Sequence, residues 1–199
     1  MDQVTNRIWL RGSLAELPQF SHENHDKRFY RFPLEVERLS GTVDILPVIV
    51  PEPVLWEMDL SGGSMLEVTG QIRTFNSRGG SGRKLVISVY AETLSACEGE
   101  AVNEVELTGT VCKEPVYRRT PLGREICDVM LAVNRPYHRA DYIPCICWGK
   151  NAGLVSCCGV GAVVRLTGRF QSRNYVKILE GTSEQRTAYE VSAMTAEIF

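Results

Sequence analysis

The sequence has no run of about 18 apolar residues, the length a membrane-spanning helix needs, and its first nine residues, Met1 to Trp9, hold no apolar signal core. Both absences point to the cytosol. It also lacks a glycine-rich phosphate loop, a nucleophile motif and a carboxylate pair beside a histidine. Its three histidines, His22, His25 and His138, fall in expected loops, so the chain is expected not to be an enzyme. No C-x-x-C pair occurs. The seven cysteines (Cys97, Cys112, Cys127, Cys145, Cys147, Cys157 and Cys158) are odd in number and have no framework spacing, which argues against a disulfide scaffold. Cys145 and Cys147 stand two apart in an apolar run and share one strand face, as small buried hydrophobes do and tetrahedral zinc ligands do not. Neither a cofactor nor a metal is expected.

Charge of one sign is scarce as well. The 199 residues carry a formal net charge of −2, which looks wrong for a polyanion binder. The halves differ, however. Residues 1–102 hold ten Lys/Arg against fourteen Asp/Glu, and residues 103–199 hold twelve against ten. Any polyanion is therefore expected to prefer the second half.

A shift of 97 residues aligns the chain with itself. Asn6-Arg-Ile-Trp-Leu-Arg-Gly12 falls on Asn103-Glu-Val-Glu-Leu-Thr-Gly109, Leu34-Glu-Val-Glu-Arg38 on Leu131-Ala-Val-Asn-Arg135, and Asp44-Ile-Leu-Pro-Val-Ile49 on Asp141-Tyr-Ile-Pro-Cys-Ile146. One further residue of shift brings Leu66-Glu-Val-Thr-Gly70 onto Val164-Arg-Leu-Thr-Gly168. Two copies are too few for a solenoid and read as two tandem domains: residues 1–97, a linker over 98–102, and residues 103–199.

Each copy is expected to be all-β. In the second, the alternating Val105, Leu107, Gly109 and Val111 mark a strand over 103–112. Further strands are expected over 124–135, 141–148, 162–171 and 186–198, separated by Thr120-Pro-Leu-Gly123, Pro136, Gly159 to Gly161 and Gly181-Thr-Ser183. Residues 149–158 break the rhythm and suit a short helix, as does the stretch opening with Pro51-Glu-Pro53 in the first copy. Five strands with a helix between the third and fourth is the order of an OB-fold barrel. Gly12, Gly109, Gly70 and Gly168 fall inside strands one and four, where glycine marks a bulge or a barrel corner.

The stretches Asn103 to Gly109, Leu131 to Arg135, Asp141-Tyr-Ile-Pro-Cys-Ile-Cys-Trp-Gly-Lys150 and Leu166-Thr-Gly-Arg-Phe-Gln-Ser-Arg173 resemble, in order and spacing, the bacterial single-stranded DNA-binding protein family. The resemblance covers roughly 103–198, and the first copy looks like a drifted version of the same fold. It implies sequence-independent binding of single-stranded DNA in replication, recombination or repair, by base stacking on aromatic rings and phosphate contacts from Arg and Lys. By alignment, Tyr137, Tyr142, Trp148 and Tyr175 match the stacking positions. Tyr142 and Trp148, six apart, share a face of a regular strand. Interleaved with them are Arg118, Arg119, Arg124, Arg135, Arg139, Lys150, Arg169, Arg173 and Lys177.

The first copy departs from that pattern. Pro51 stands where Trp148 stands, Ile45 for Tyr142, Ser40 for Tyr137, and Ser77 for Tyr175 with Phe75 close by. It keeps Arg28, Phe29, Tyr30, Arg31 and a basic loop from Arg73 to Lys84, but strong binding there is not expected. The family commonly ends in an acidic tail that recruits replication and repair proteins. Here Glu197-Ile-Phe199 follows the last strand directly, so recruitment through such a tail is not expected. The resemblance further implies a homodimer, with the first strands, Asn6–Leu14 and Asn103–Val111, as pairing edges. Pairing of those two strands within one chain is the alternative, which the short acidic linker is expected to restrict. A protein-interaction or primosomal accessory module of the same fold is the rival function.

Overall fold

The computed structural model describes residues 6–56, 58–77, 84–179 and 182–199. The basic stretch 78–83 and the turn residue Gly181 lie outside the described residues. The first half contains β1 (Asn6–Leu14), β2 (Gln19–Asn24), β3 (Lys27–Glu37), β4 (Val43–Pro51), α1 (Glu52–Leu55), β5 (Met65–Ser77) and β6 (Lys84–Ala96). The second contains β7 (Val102–Val111), β8 (Val116–Arg119), β9 (Glu125–Arg135), β10 (Arg139–Trp148), α2 (Lys150–Ser156), β11 (Val163–Leu179) and β12 (Thr182–Ile198).

Alternation builds each barrel. In β4, Asp44, Leu46, Val48 and Val50 point inward and Val43, Ile45, Pro47 and Ile49 outward; in β9, Cys127, Val129, Leu131 and Val133 point inward. Antiparallel pairs β1–β3, β3–β4, β5–β6 and β1–β5 are closed by the parallel pair β4–β6. The same circuit recurs as β7–β9–β10–β12–β11. These are the five-stranded OB barrels that the strand order anticipates, each with a short helix after its third strand. Gly70 and Gly168 sit at the register shifts of β5–β6 and β11–β12. A Cβ there would collide with the Tyr90 and Ser192 carbonyl oxygens, so only glycine lets the strands close at these bulges.

Three features escaped the alternation pattern. β2 and β8 are almost wholly exposed and so carry no inside-outside signal. β11 and β12 continue past the barrel to Leu179↔Thr182, well beyond the ends expected at 171 and 186. Residues 173–176 are exposed on both faces, so this arm is held by its backbone ladder and shows no apolar period.

The two barrels join within the chain. β1 and β7 pair antiparallel from Asn6↔Leu107 to Arg11↔Val102, forming one twelve-stranded sheet. The linker does not prevent this. The path from β6 past β5 and β1 to β7 is three strand spacings, about 14 Å, and the five residues between Ala96 and Val102 reach roughly 17 Å. The first-strand edges are therefore occupied inside one molecule.

A second contact fixes the barrels' relative orientation. Asp44 and Asp141, equivalent under the 97-residue shift, are fully buried. Asp141 accepts a hydrogen bond from the Thr74 amide of the other barrel (2.7 Å) and lies 3.1 Å from both Arg73 and Arg135. Asp44 likewise accepts from the Ser172 amide (2.8 Å) and from Arg38 through Nε (2.7 Å) and Nη2 (2.6 Å). Asn6 and Asn103 form matching pairs of bonds to the backbone of Ile72 and Phe170. The asparagine bonds lie within each barrel, and the repeated aspartates are the residues that lock one barrel to the other.

The cysteines are free thiols. Burial pushes Cys147 up to about 12 and Cys145 well above the ordinary thiol value. Alkylation at pH 8 is therefore expected to modify the exposed Cys157 first. Cys127, Cys145 and Cys147 should react only after denaturant is added, and mass-spectrometric mapping would show rapid labelling of Cys147 if this packing were wrong.

Candidate nucleic-acid interface

A groove of about 800 Å³ crosses the second barrel's outer face. Its centre is Trp148, the last residue of β10, followed by Gly149 with a positive φ of 54° that turns the chain into α2. The indole is half-buried, its Nε1–H donates to Ser192 Oγ at 3.0 Å, and the ring lines the groove. Ile126 and Ile146 supply apolar wall, and Asn151 is tied by its Nδ2 to the Met194 carbonyl (2.8 Å).

Arginines surround the ring. Arg118, from β8, makes a fork to Asp128 at 2.7 and 3.3 Å; that bond raises its already high pKa, so its charge is permanent and its position fixed. Arg124 comes from the β8–β9 turn and has no carboxylate partner among the described residues. Arg169 and Arg173 share the outer face of β11 with Gln171. Burial lowers the pKa of Arg169, assisted by the nearby Arg38 charge, and among the described residues its side-chain hydrogen-bond partner is Gln171 at 3.5 Å. The Asp44 charge only partly offsets this, and a half-buried guanidinium with no ion pair among the described residues suits an anion. Arg173 lies 3.6 Å from the buried Glu190, which tempers the positive field of the floor.

The structure distributes the other expected site residues around this centre. Arg119 pairs with Glu125 (3.1 Å) beside a shallow depression shared with Arg124 and Trp148, and Lys150 is exposed just after Gly149. Tyr175 lies on the projecting β11 arm with the Arg173 guanidinium 5.8 Å from its ring centroid. Lys177 lies further along that arm, in register with Glu184. Tyr137 occupies the tip of the β9–β10 hairpin at positive φ (63°) and is 91% exposed. Tyr142 shares the outer face of β10 with Trp148, about 20 Å away, and its amide donates to Thr74 of the first barrel (2.8 Å). Arg139 is exposed near Tyr137, whereas Arg135 is engaged with buried Asp141, and burial lowers its pKa. The structure thus brings Trp148 and four of the expected arginines to one groove, whereas Tyr137, Tyr142, Arg135 and Arg139 lie at the other end of β10, where Tyr142 meets Thr74 of the first barrel.

Sequence reasoning missed Arg38. It belongs to the first barrel yet lines the second barrel's groove, held by Asp44 and by a bond to the Ser172 carbonyl (3.3 Å). The signal was present, because the 97-residue shift places Arg38 on Arg135.

A profile of the single-strand binding protein family matches residues 102–199. Among curated proteins, single-stranded DNA-binding protein B of Bacillus subtilis is 38% identical over 80 residues, covering 37% of this chain and 71% of that protein. Single-stranded DNA-binding protein 3 of Listeria innocua is 37% identical over 81 residues, 37% of this chain and 51% of its own length. The chain spans about half the length of several curated relatives it matches. Over almost the whole chain the fold follows that of the wild-type single-stranded DNA binding protein from Thermus aquaticus, with a TM-score of 0.79 at 22% identity, covering 98% of this chain and 92% of that one. The chain belongs to the single-strand binding protein family.

Proposed function

We propose that this protein binds single-stranded DNA without reading its sequence, in replication, recombination or repair. The observation that carries the reading is the groove in which Trp148, bonded to Ser192, offers a stacking face among Arg118, Arg124, Arg169 and Arg173. A ring face accepts any base and guanidinium groups accept any phosphate, so the pair gives affinity without sequence preference. Tyr137, Tyr142 and Tyr175 extend the stacking track, and Arg119, Arg135, Arg139, Lys150 and Lys177 are its further basic residues. The role is binding rather than turnover, in the cytoplasm; no helix among the described residues is long and apolar enough to cross a membrane.

The functional units are the repeats 1–97 and 103–199 joined by 98–102. We further propose a homodimer. Because β1 and β7 pair within the chain, a second copy must dock on another surface. Light scattering should report twice the chain mass; a monodisperse single chain at micromolar concentration would exclude the dimer.

Oligo-dT is expected to bind far more tightly than duplex of equal length, since bases inside a duplex present no free face. Affinity should fall steeply between low and moderate salt, with a slope of about −0.7 per phosphate neutralised. Equal affinity for both nucleic acids, or a flat salt response, would overturn the reading.

A further inference from the structure

The pseudo-two-fold relation of the barrels places a second face, on the first barrel, where the groove of the second barrel lies. Its matched positions lack the stacking aromatics: Pro51 replaces Trp148 and Ile45 replaces Tyr142. The barrel circuit nevertheless puts other rings there. Val89 pairs with Val48 and Ile72 as Val191 pairs with Cys145 and Phe170, so Tyr90 occupies the place of Ser192, the residue that holds Trp148. Phe29, paired with Pro51, stands where Ile126 stands beside Trp148.

These rings touch. Phe29 and Tyr90 lie 6.4 Å apart between centroids, and His22 stacks on Phe29 at 4.8 Å with 10° between the planes. The register shift between Phe20 and His22 turns His22 onto this face, away from the Phe20–Tyr30 pair. The Arg73 guanidinium lies 5.9 Å from the Tyr90 centroid. Arg73 is also bound to Asp141, which connects this face to the start of β10 and therefore to Tyr142, whose amide bonds to Thr74. Arg31, exposed on the same side of β3 as Phe29, has no carboxylate partner among the described residues.

We propose that this face is a second stacking platform for single-stranded DNA, composed across the barrel boundary: Tyr142 of the second barrel leads onto Arg73, Tyr90, Phe29 and His22 of the first. The rings stand on the strands that neighbour the strand-three position, where Pro51 offers none. The inference rests on the proposed function and extends it from one groove to two. A long strand then occupies both faces, and a short one fills only the more basic Trp148 groove.

The test uses the full chain with two dT oligomers, about 10 and about 40 nucleotides, chosen against the 4–16 nucleotides that one OB fold covers. Tyr90→Ser, which copies the second barrel's residue, and His22→Ala, at an exposed position, are each expected to weaken binding of the long oligomer by about fivefold or more. Both should leave the short oligomer's affinity and the melting temperature unchanged, and should shorten the length of strand occluded per protein. Trp148→Ala should weaken both oligomers. If Trp148→Ala acts as expected while His22→Ala and Tyr90→Ser bind the long oligomer like the parent, the second platform is refuted and the first groove stands. If the parent protein takes up neither oligomer, the proposed function itself fails, and the platform with it.

Discussion

Trp148→Ala is expected to weaken binding of short oligo-dT by about 1–3 kcal/mol, roughly five- to 150-fold, without unfolding the barrel. The indole is not part of the core formed by Val129, Leu131, Ile143, Cys145 and Phe170, and it lines the groove. Its loss frees the Ser192 hydroxyl, which remains beside the groove and can turn to water, so the stability cost is small. Trp148→Phe retains a stacking face but not the Nε1–H anchor, and should recover most of the affinity. Binding should also quench the tryptophan emission in the parent and much less in Trp148→Ala. A variant that melts many degrees lower would mean that the ring is a structural element, and the groove would lose its centre.

The largest stability effect is expected at Asp141. Its carboxylate is fully buried and faces the Thr74 amide, Arg73 and Arg135. Asp141→Ala would leave two guanidinium groups facing each other with no counter-charge and one amide without an acceptor. Removing one partner of such a buried cluster typically costs about 3–5 kcal/mol. Urea unfolding should show a midpoint lowered accordingly. Asp44→Ala, at the equivalent contact with Ser172 and Arg38, should cost less, because only one arginine is left unpaired. Binding is affected in a different order. Asp44→Ala frees Arg38 beside Trp148, and so disturbs the groove directly. Asp141→Ala acts away from that groove, beside Thr74 and Arg73 of the first barrel. An Asp141→Ala protein as stable as the parent would show that the barrels do not depend on this clamp.

How much of this was legible beforehand follows from what each residue contributes to a linear pattern. The barrels were legible because Leu10, Leu34, Leu46, Leu107, Leu131 and Ile143 alternate with outward residues, and because glycine interrupts strands at Gly70 and Gly168. The projecting β11–β12 arm was not, since residues exposed on both faces leave no period. Trp148 and its arginines were named through the family resemblance of residues 103–198, and the structure places Trp148, Arg118, Arg124, Arg169 and Arg173 on one groove. Tyr90 was not legible, because it reaches its site through strand pairing between distant segments; the repeat marked Arg38 by placing it on Arg135, but not its contact with the other barrel's groove. The buried role of Arg135 was equally invisible: a basic residue beside a tyrosine reads the same in sequence whether it faces solvent or a buried carboxylate 3.1 Å away.

The antiparallel seam between β1 and β7 has a consequence for how such a molecule can change over generations. In a dimer of identical chains every substitution appears twice, and at an isologous interface it meets its own image. A change that improves one groove must be tolerated in the other. Here the seam joins two different strands of one polypeptide, Ile8 facing Val105 and Trp9 facing Glu104, so each side mutates alone. Position 51 carries proline while the matching position 148 carries tryptophan. Covalent linkage also makes the seam independent of concentration, since the two barrels cannot be diluted apart. The tandem chain can therefore hold two unequal surfaces in one permanent assembly, a freedom that a symmetric pair of single barrels lacks.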